Sequence, residues 1–496
     1  MGYAERAMVP ALHLDPQAAE PLYRQLYRQL RELILSGALP RGERIPPTRE
    51  LAGTLGVNRA TVAAAYGLLE QEGLIRGHVG RGSFVAGVAA GGGSIDWEAR
   101  LGLPGVEVRS WSAPVRISFV SARPEEELLP VEEFRQSCAE VLAGGEAARL
   151  LQLGSAYGYG PLREWLIGQA RAEGTAGPGD DVVVTSGCQQ ALDLLERVLV
   201  RPGDAVAVED PVYPGLRDVF VRAGARVIGI PVGPGGVDLA VLARVLERET
   251  VAAVAVTPNF QNPTGETMGL EARRELLRLA QRAAAPVIEN DIYGPLRYEG
   301  ADLPSLKRLD EAGLVIQVRS FSKLAMPGLR VGWVTAPRAV ARRLAEWKQT
   351  ADLHTDHLAQ AVLLRFALSG RLEAHRRRLI EAGRARLRAV LEACGRHLPP
   401  GSRYTRPEGG ANVWVRLPEP LDAERLLARA EEAGVSYLPG RVFAVQRAEP
   451  AGLRLSFAGL APGQIEEGLE TLGRIFGAEW RRQRAAEQAG LEPAIV

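Results

Sequence analysis

Lysine occurs three times in the 496 residues, at 307, 323 and 348, and all the other members of the 60 basic side chains are arginine. Chemistry that needs a primary amine is confined to these positions. Lys307 and Lys348 lie in the polar runs Leu306-Lys307-Arg308-Leu309-Asp310 and Glu346-Trp347-Lys348-Gln349 and read as solvated. Lys323 follows the apolar run Val315–Val318, within Ser320-Phe321-Ser322-Lys323 and ahead of Pro327-Gly328. A lysine just past the carboxyl end of a strand stands where open α/β sheets bind ligands. Partly desolvated and near other cations, it gives up a proton readily and can form a Schiff base. Pairing with a nearby carboxylate is the alternative these residues leave open.

Ser186-Gly187-Cys188-Gln189 closes the run Val182–Val184 and opens a helical stretch, Gln189–Leu199. Free backbone N–H groups at such a point attract an anion, and Ser320, Ser322 and Arg330 could complete a phosphate cradle. Asp291, after Val287–Ile288, would keep a pyridine nitrogen protonated, so that the ring absorbs carbanion charge. Tyr293 and Asn262, the latter in Asn262-Pro263-Thr264-Gly265, would hold a ring oxygen from opposite sides. Tyr213 would stack on the ring, and the planar fork of Arg454 suits a carboxylate. Each also has a plain structural reading: Asp291 a cap, Tyr213 core, Arg454 a surface pair.

These residues need a scaffold, and the hydrophobic pattern supplies one. Candidate strands at Val182–Val184, Ala205–Val208, Val227–Ile230, Val251–Val256, Val287–Ile288, Val315–Val318 and Val331–Val334 alternate with helices such as Leu270–Ala284, the pattern of an α/β domain with a mainly parallel sheet. Long helices are expected over Pro337–Phe366 and Ala374–His397. A smaller α+β lobe follows, with strands near Ala411–Arg416 and Leu453–Phe457 and helices near Ala423–Gly434 and Pro462–Phe476.

The first residues differ in kind. Leu22, Leu26, Leu30, Leu33 and Ile34 make one helical stripe, which Ser36-Gly37 ends. Pro46-Pro47-Thr48 opens a short helix, Gly56-Val57 makes a tight turn, and Asn58 caps a helix running to about Glu72. Two helices joined by a glycine-containing turn form a helix-turn-helix, and Gly80-Arg81-Gly82 reads as the tip of a hairpin wing. From Glu20 to Val85 nine arginines face six acids. In this geometry Asn58, Arg59 and Thr61 would face base edges, Arg49 a phosphate, and Arg81 the minor groove or backbone. A helical docking domain is the alternative. The expected boundaries are 15–86 for the DNA-binding domain, 87–112 for a flexible glycine-bearing linker, and 113–480 for the α/β domain, its large lobe about 145–340 and its small lobe about 370–480.

Composition narrows the classes. With 46% hydrophobic and 24% charged residues the chain is globular rather than disordered. No run of about 18 uncharged apolar residues is present, no apolar segment follows the first methionine, and three cysteines cannot form a disulfide framework. A cytoplasmic protein without a membrane partner is expected. His354 and His357 have too few companions for a metal site.

Arg41-Gly42-Glu43-Arg44-Ile45-Pro46-Pro47-Thr48-Arg49-Glu50-Leu51-Ala52, Gly56-Val57-Asn58-Arg59-Ala60-Thr61-Val62, Glu72-Gly73-Leu74-Ile75 and Gly80-Arg81-Gly82-Ser83-Phe84-Val85 resemble the GntR-type winged helix-turn-helix. Asn262-Pro263-Thr264-Gly265, the Asp291/Tyr293 pair, and Ser320-Phe321-Ser322-Lys323 followed by Arg330-Val331-Gly332-Trp333 resemble the fold-type I pyridoxal phosphate enzymes of the aminotransferase class. The combination resembles the MocR-type transcriptional regulators. The resemblance implies that Lys323 forms the Schiff base with pyridoxal 5'-phosphate and that Asp291 contacts its ring nitrogen. It implies further that Asn262 and Tyr293 hold its ring oxygen, and that Gly187, Cys188, Gln189, Ser320, Ser322 and Arg330 hold its phosphate. Arg454 would bind an amino or carboxylic acid. A homodimer on double-stranded DNA with paired half-sites is implied, with pyridoxal phosphate or a small amino compound as effector. A working aminotransferase with a 2-oxo acid acceptor and a fused DNA reader is the other reading. The chain departs from the pattern at Leu153, where the family carries a tyrosine, and at Cys188, where serine or alanine is usual.

Overall fold

The computed structural model describes residues 12–18, 20–78, 82–86 and 115–490, with backbone alone at 78 and 486–490. The segment expected as a linker, 87–112, and Arg81 at the wing tip lie outside the described residues. The chain forms two compact units, Met1–Arg109 and Ser110–Val496.

In the first unit, helix α1 (Leu22–Leu35) buries Leu26, Leu30 and Ile34, one per turn. That stripe packs on Val62, Ala65, Tyr66 and Leu69 of α3 (Arg59–Gln71) and on Leu51 and Ala52 of α2 (Thr48–Leu55). The turn between α2 and α3 needs a left-handed residue, and Gly56 provides it at φ +66°. The Oδ1 of Asn58 accepts from the Ala60 N–H at 2.9 Å and so starts α3. Strands β1 (Arg44–Ile45), β3 (Gly82–Val85) and β2 (Ile75–His78) make a small antiparallel sheet in that order, with β2 and β3 as the wing.

The second unit is a two-lobed α/β structure. After β4 (Ile117–Ser118) come β5 (Asp180–Thr185), β6 (Ala205–Asp210), β7 (Arg226–Gly233), β8 (Gly236–Val237), β9 (Val251–Val256), β10 (Val287–Asn290), β11 (Val315–Ser320) and β12 (Gly332–Pro337). The sheet order is β5-β12-β11-β10-β9-β6-β7-β8. The pairs from β11 through β10, β9 and β6 to β7 are parallel, whereas β12 runs against both its neighbours and β8 runs against β7. Successive residues point to opposite faces. Val206, Val208, Ile316 and Val318 accordingly pack with the helices Cys188–Leu199 and Pro214–Arg222. Ala205, Ala207, Val287 and Val315 pack on the other face with Leu239–Arg248 and Leu270–Arg282. Apolar side chains on both faces of one strand explain the near-continuous hydrophobic runs in the sequence.

The small lobe joins β13 (Arg403–Tyr404), β14 (Asn412–Arg416), β17 (Gly452–Ser456) and β16 (Leu438–Pro439) in that order. Its core includes Leu387 and Val390 of the helix Arg371–His397, and Leu469, Leu472 and Phe476 of Pro462–Gly490. Strand β15 (Val435–Ser436) pairs with β4.

One expectation fails. The stretch Pro337–Phe366 is two helices, Arg338–Ala351 and His357–Leu368. Leu353 turns left-handed at φ +64°, and Asp356 caps the second helix through the Ala359 N–H at 2.6 Å. Asp352, at the break, accepts from Gln190 Nε2 at 2.6 Å, a tertiary contact invisible to helical periodicity.

Replacing the cap by Asn58→Ala is expected to destabilise α3 by ~1 kcal/mol, about a fivefold loss of protection. Hydrogen exchange of the α3 amides in the full chain measures it.

Candidate functional site

Five loops leave the carboxyl ends of strands β5, β6, β9, β10 and β11, and each carries candidate residues. This is the edge where parallel sheets hold ligands.

Gly187 precedes the helix Cys188–Leu199 at φ +83°, and a Cβ there would collide with the Arg330 guanidinium. Arg330 is itself left-handed at φ +54°. Its Nη1 donates to Ser322 Oγ at 3.3 Å. Ser320 Oγ donates to Ser322 Oγ at 2.9 Å, and the Ser322 N–H donates to Ser320 Oγ at 3.0 Å. A guanidinium, two hydroxyls and the unpaired N–H groups of a helix start therefore converge. Among the described residues Arg330 has no carboxylate partner, so the cradle lacks an anion. A phosphate group fits it.

Lys323 Nζ donates to the Ala122 carbonyl at 2.9 Å and lies 5.6 Å from the centre of the Tyr293 ring. Tyr213 Oη donates to Gln189 Oε1 at 3.3 Å, and burial pushes the phenol up to about 12. Burial also raises the Cys188 thiol, against the opposing charges of Lys323 and Arg330.

Arg454, on β17, is 6% exposed. Its Nη1 donates to Asn262 Oδ1 at 3.0 Å, Nη2 bonds the Val120 carbonyl, and Nε has no partner. Burial pulls it down to about 10, against the ordinary 12.5. Among the described residues it too lacks a carboxylate. Because Asn262 Oδ1 faces Arg454, its amide nitrogen is the group left to donate elsewhere.

The loop bearing Asn262 is anchored by Glu209, a residue the sequence did not single out. Glu209 is buried and accepts from the Thr257 N–H at 2.9 Å and Gln261 Nε2 at 3.1 Å. Gln261 Oε1 in turn accepts from the Thr264 N–H at 2.9 Å and Oγ1 at 2.7 Å. Burial pushes Glu209 up to about 8.

Asp291, 2% exposed, is held differently. Oδ1 accepts from Asn259 Nδ2 at 2.8 Å, and Oδ2 accepts from Arg319 Nε and Nη2, both at 3.1 Å. Neither Arg319 nor Asn259 was expected to take part. Only the alignment of β10 with β11, for Arg319, and with β9, for Asn259, could have pointed to them.

The structure thus brings Gly187, Cys188, Gln189, Tyr213, Asn262, Tyr293, Ser320, Ser322, Lys323, Arg330 and Arg454 to one edge, with Asp291 at the end of the adjoining strand. The other two lysines are not solvated. Lys307 pairs with Asp180 at 3.1 Å and Lys348 with Asp352 at 2.7 Å, both buried. Lys348 and Asp352 are four apart on one helix, a signal the sequence offered; Asp180 is remote. Leu153 is exposed. Of the nearby tyrosines, Tyr159 bonds Glu146 at 3.1 Å and Tyr157 lies under the Arg163 guanidinium.

In the first unit, Arg49 at the start of α2 and Asn58 and Arg59 at the start of α3 are exposed, and Thr61 on α3 is half-buried. Arg59 Nε reaches Thr48 Oγ1 at 3.4 Å.

Residues 148–472 match the family "Aminotransferase class I and II", and residues 22–85 match "Bacterial regulatory proteins, gntR family". The probable rhizopine catabolism regulatory protein MocR of Rhizobium meliloti is 30% identical over 94% of this chain and 96% of its own. Aromatic-amino-acid aminotransferase 1 of Thermococcus litoralis is 35% identical over 78% of this chain and 94% of its own. The structure of LysN, the alpha-aminoadipate aminotransferase of Thermus thermophilus, complexed with N-(5'-phosphopyridoxyl)-L-leucine, superposes with a TM-score of 0.68. It is 38% identical and covers 73% of this chain and 92% of its own. The chain belongs to the aminotransferase class I and II family, with a gntR-family reader ahead of that domain, the arrangement of the MocR-type regulators. Among the described residues no helix is long and apolar enough to cross a membrane.

Glu209 makes the site pH-sensitive in stability. Its folded value lies above the ordinary 4.5, so its contribution is complete below that value and is lost as pH rises toward about 8. Glu209→Gln is expected to remove this fall. Melting curves between about pH 5 and pH 8 should show the variant gaining on the wild type as pH rises.

Proposed function

We propose that this MocR-type chain controls transcription by holding pyridoxal phosphate at Lys323 and detecting a small amino acid beside it. The observation that carries the reading is Arg454: a guanidinium buried at the lysine edge with no anion to pair it. Burying an unpaired charge costs several kcal/mol unless a partner arrives. A carboxylate on the ligand supplies that partner bidentately.

Pyridoxal phosphate brings an aldehyde that condenses reversibly with amines and a ring that spreads negative charge. The chain's own residues divide the remaining work. Lys323 would supply the amine that tethers the group. Arg330, Ser320, Ser322 and the N–H groups after Gly187 hold the phosphate. Tyr293 and the Asn262 amide nitrogen would orient the ring oxygen, Tyr213 would cover the ring, and Asp291 would face the ring nitrogen. Arg454 lies on the small lobe and Lys323 on the large one, so a ligand spanning both biases the position of one lobe against the other.

Asn58, Arg59 and Thr61 read bases at the start of α3, and Arg49 fixes the phosphate backbone. The protein acts as a homodimer on paired half-sites. Exposed Leu151, Leu153 and Leu353 support a self-association surface.

Lys323→Ala is expected to abolish the visible absorbance of the cofactor-loaded protein and its response to amino acids in operator binding. Arg454→Gln should weaken an amino acid about 10–100-fold while leaving the corresponding amine without a carboxylate unaffected. Equal loss of both ligands would overturn the role of Arg454. Arg49→Ala should weaken DNA binding across sequences and lower the salt slope by about 0.9, read by titration of labelled operator at several salt concentrations.

A further inference from the structure

The carboxylate expected to face the cofactor's ring nitrogen already has a cation on it. Asn290 lies opposite Val318 in the parallel register of β10 and β11. The next residues along, Asp291 and Arg319, therefore project to the same side, while Ser320 turns to the other. Arg319 directs Nε and Nη2 onto a single oxygen, Asp291 Oδ2, at 3.1 Å each. Its other end donates through Nη1 to Glu173 Oε2 at 2.6 Å. Asn259 Nδ2 occupies Oδ1, and Asn259 is fixed in that orientation because Arg273 Nη2 donates to its Oδ1 at 2.6 Å. A Cβ on Gly294 would collide with the carboxylate, so Asp291 has no room to swing.

We propose that Arg319 is a positioning residue that weakens the hold of Asp291 on a proton at the cofactor's ring nitrogen, and so lets the site exchange amines while restraining turnover. The proposal rests on the reading that the Lys323 pocket holds pyridoxal phosphate. A protonated ring nitrogen beside Asp291 would share that carboxylate with a guanidinium. In a buried setting the second cation offsets the field that the first one needs. The other charged groups around Asp291 do not cancel this. Glu289, on the same strand, is buried and accepts from the Leu306 and Lys307 N–H groups. Arg273 adds a further positive charge, and Glu173 takes the far end of Arg319, half exposed to solvent. A neutral ring is a poorer sink for negative charge. Removal of a proton from the bound amine then slows, whereas condensation of the amine with the aldehyde needs no such sink.

Arg319 also lines a cavity of about 800 Å³ together with Trp165, Glu173, Asp291, Phe321 and Trp333. Of the phosphate-cradle residues only Ser320 is among its walls, and Lys323, Gly187, Cys188 and Arg330 are not, so the cavity leaves Arg319 room for substitution.

The test uses the full-length protein loaded with pyridoxal phosphate labelled with ¹⁵N in the ring. The pH midpoint of the ring-nitrogen resonance is read, together with the single-turnover rate of amino-group transfer from a bound amino acid. Arg319→Gln is expected to raise the midpoint by about one pH unit or more and to speed transfer about tenfold. Arg319→Lys keeps the charge and should stay near the wild-type midpoint. If Arg319→Gln does not fold, Glu173→Gln takes its place. With the far carboxylate neutral, more of the guanidinium charge falls on Asp291, and the midpoint should drop. Unchanged midpoints in the neutral variants, or a shift in Arg319→Lys as large as in Arg319→Gln, would overturn the proposal. No bound-ring resonance in the wild type would instead strike down the cofactor reading, and this one with it.

Discussion

Two arginines at the edge of a parallel sheet, Arg454 buried and Arg330 exposed, have no carboxylate partner among the described residues and set the terms for the second unit. They reach that edge from different lobes, and for Arg454 desolvation makes a standing demand for an anion. Fixing them requires rigid support. The support comes from the left-handed turn at Arg330, the glycine at 187 that leaves it space, and the strand β17 that presents Arg454. On the proposed reading the two cations would receive a phosphate at one end and a carboxylate at the other, with the Lys323 amine between them.

The contrast with Asp291 is informative. Where the arginines lack anions, the aspartate has an excess of donors: an amide and a guanidinium occupy both oxygens. A carboxylate so held keeps its orientation, yet its field is partly spent within the protein. Recognition and turnover draw on different parts of one constellation. On the reading proposed above, Arg454 and the phosphate cradle would serve binding, while the strength of Asp291 would govern how much chemistry follows. A regulator needs the first and not the second.

The DNA-reading unit follows simpler rules. Its helices are short, its core is one cluster, and its turn depends on Gly56 and the Asn58 cap. The cap uses the Asn58 side-chain oxygen, and the exposed residue that starts the helix is also one proposed to read bases. Contacts within this unit are close in sequence, which is why the periodicity of the apolar residues described it well.

The sequence by itself determined whatever is local. The order of strands and helices, the cap and turn of the reader, the glycine before the helix Cys188–Leu199, and the singular setting of Lys323 are all legible in runs of a few residues, because backbone sterics and hydrophobic period act over that range. Tertiary structure decided the pairings. Arg454 reaches Asn262 across 192 positions, Lys307 finds Asp180 across 127, and Arg319 meets Asp291 across 28. The helix expected over Pro337–Phe366 broke for the same reason, with Asp352 drawn to Gln190 across 162. Which charges are neutralised depends on strand register and on the side of the pleat from which each residue projects. Both follow from the assembled sheet, and no window of the chain contains them.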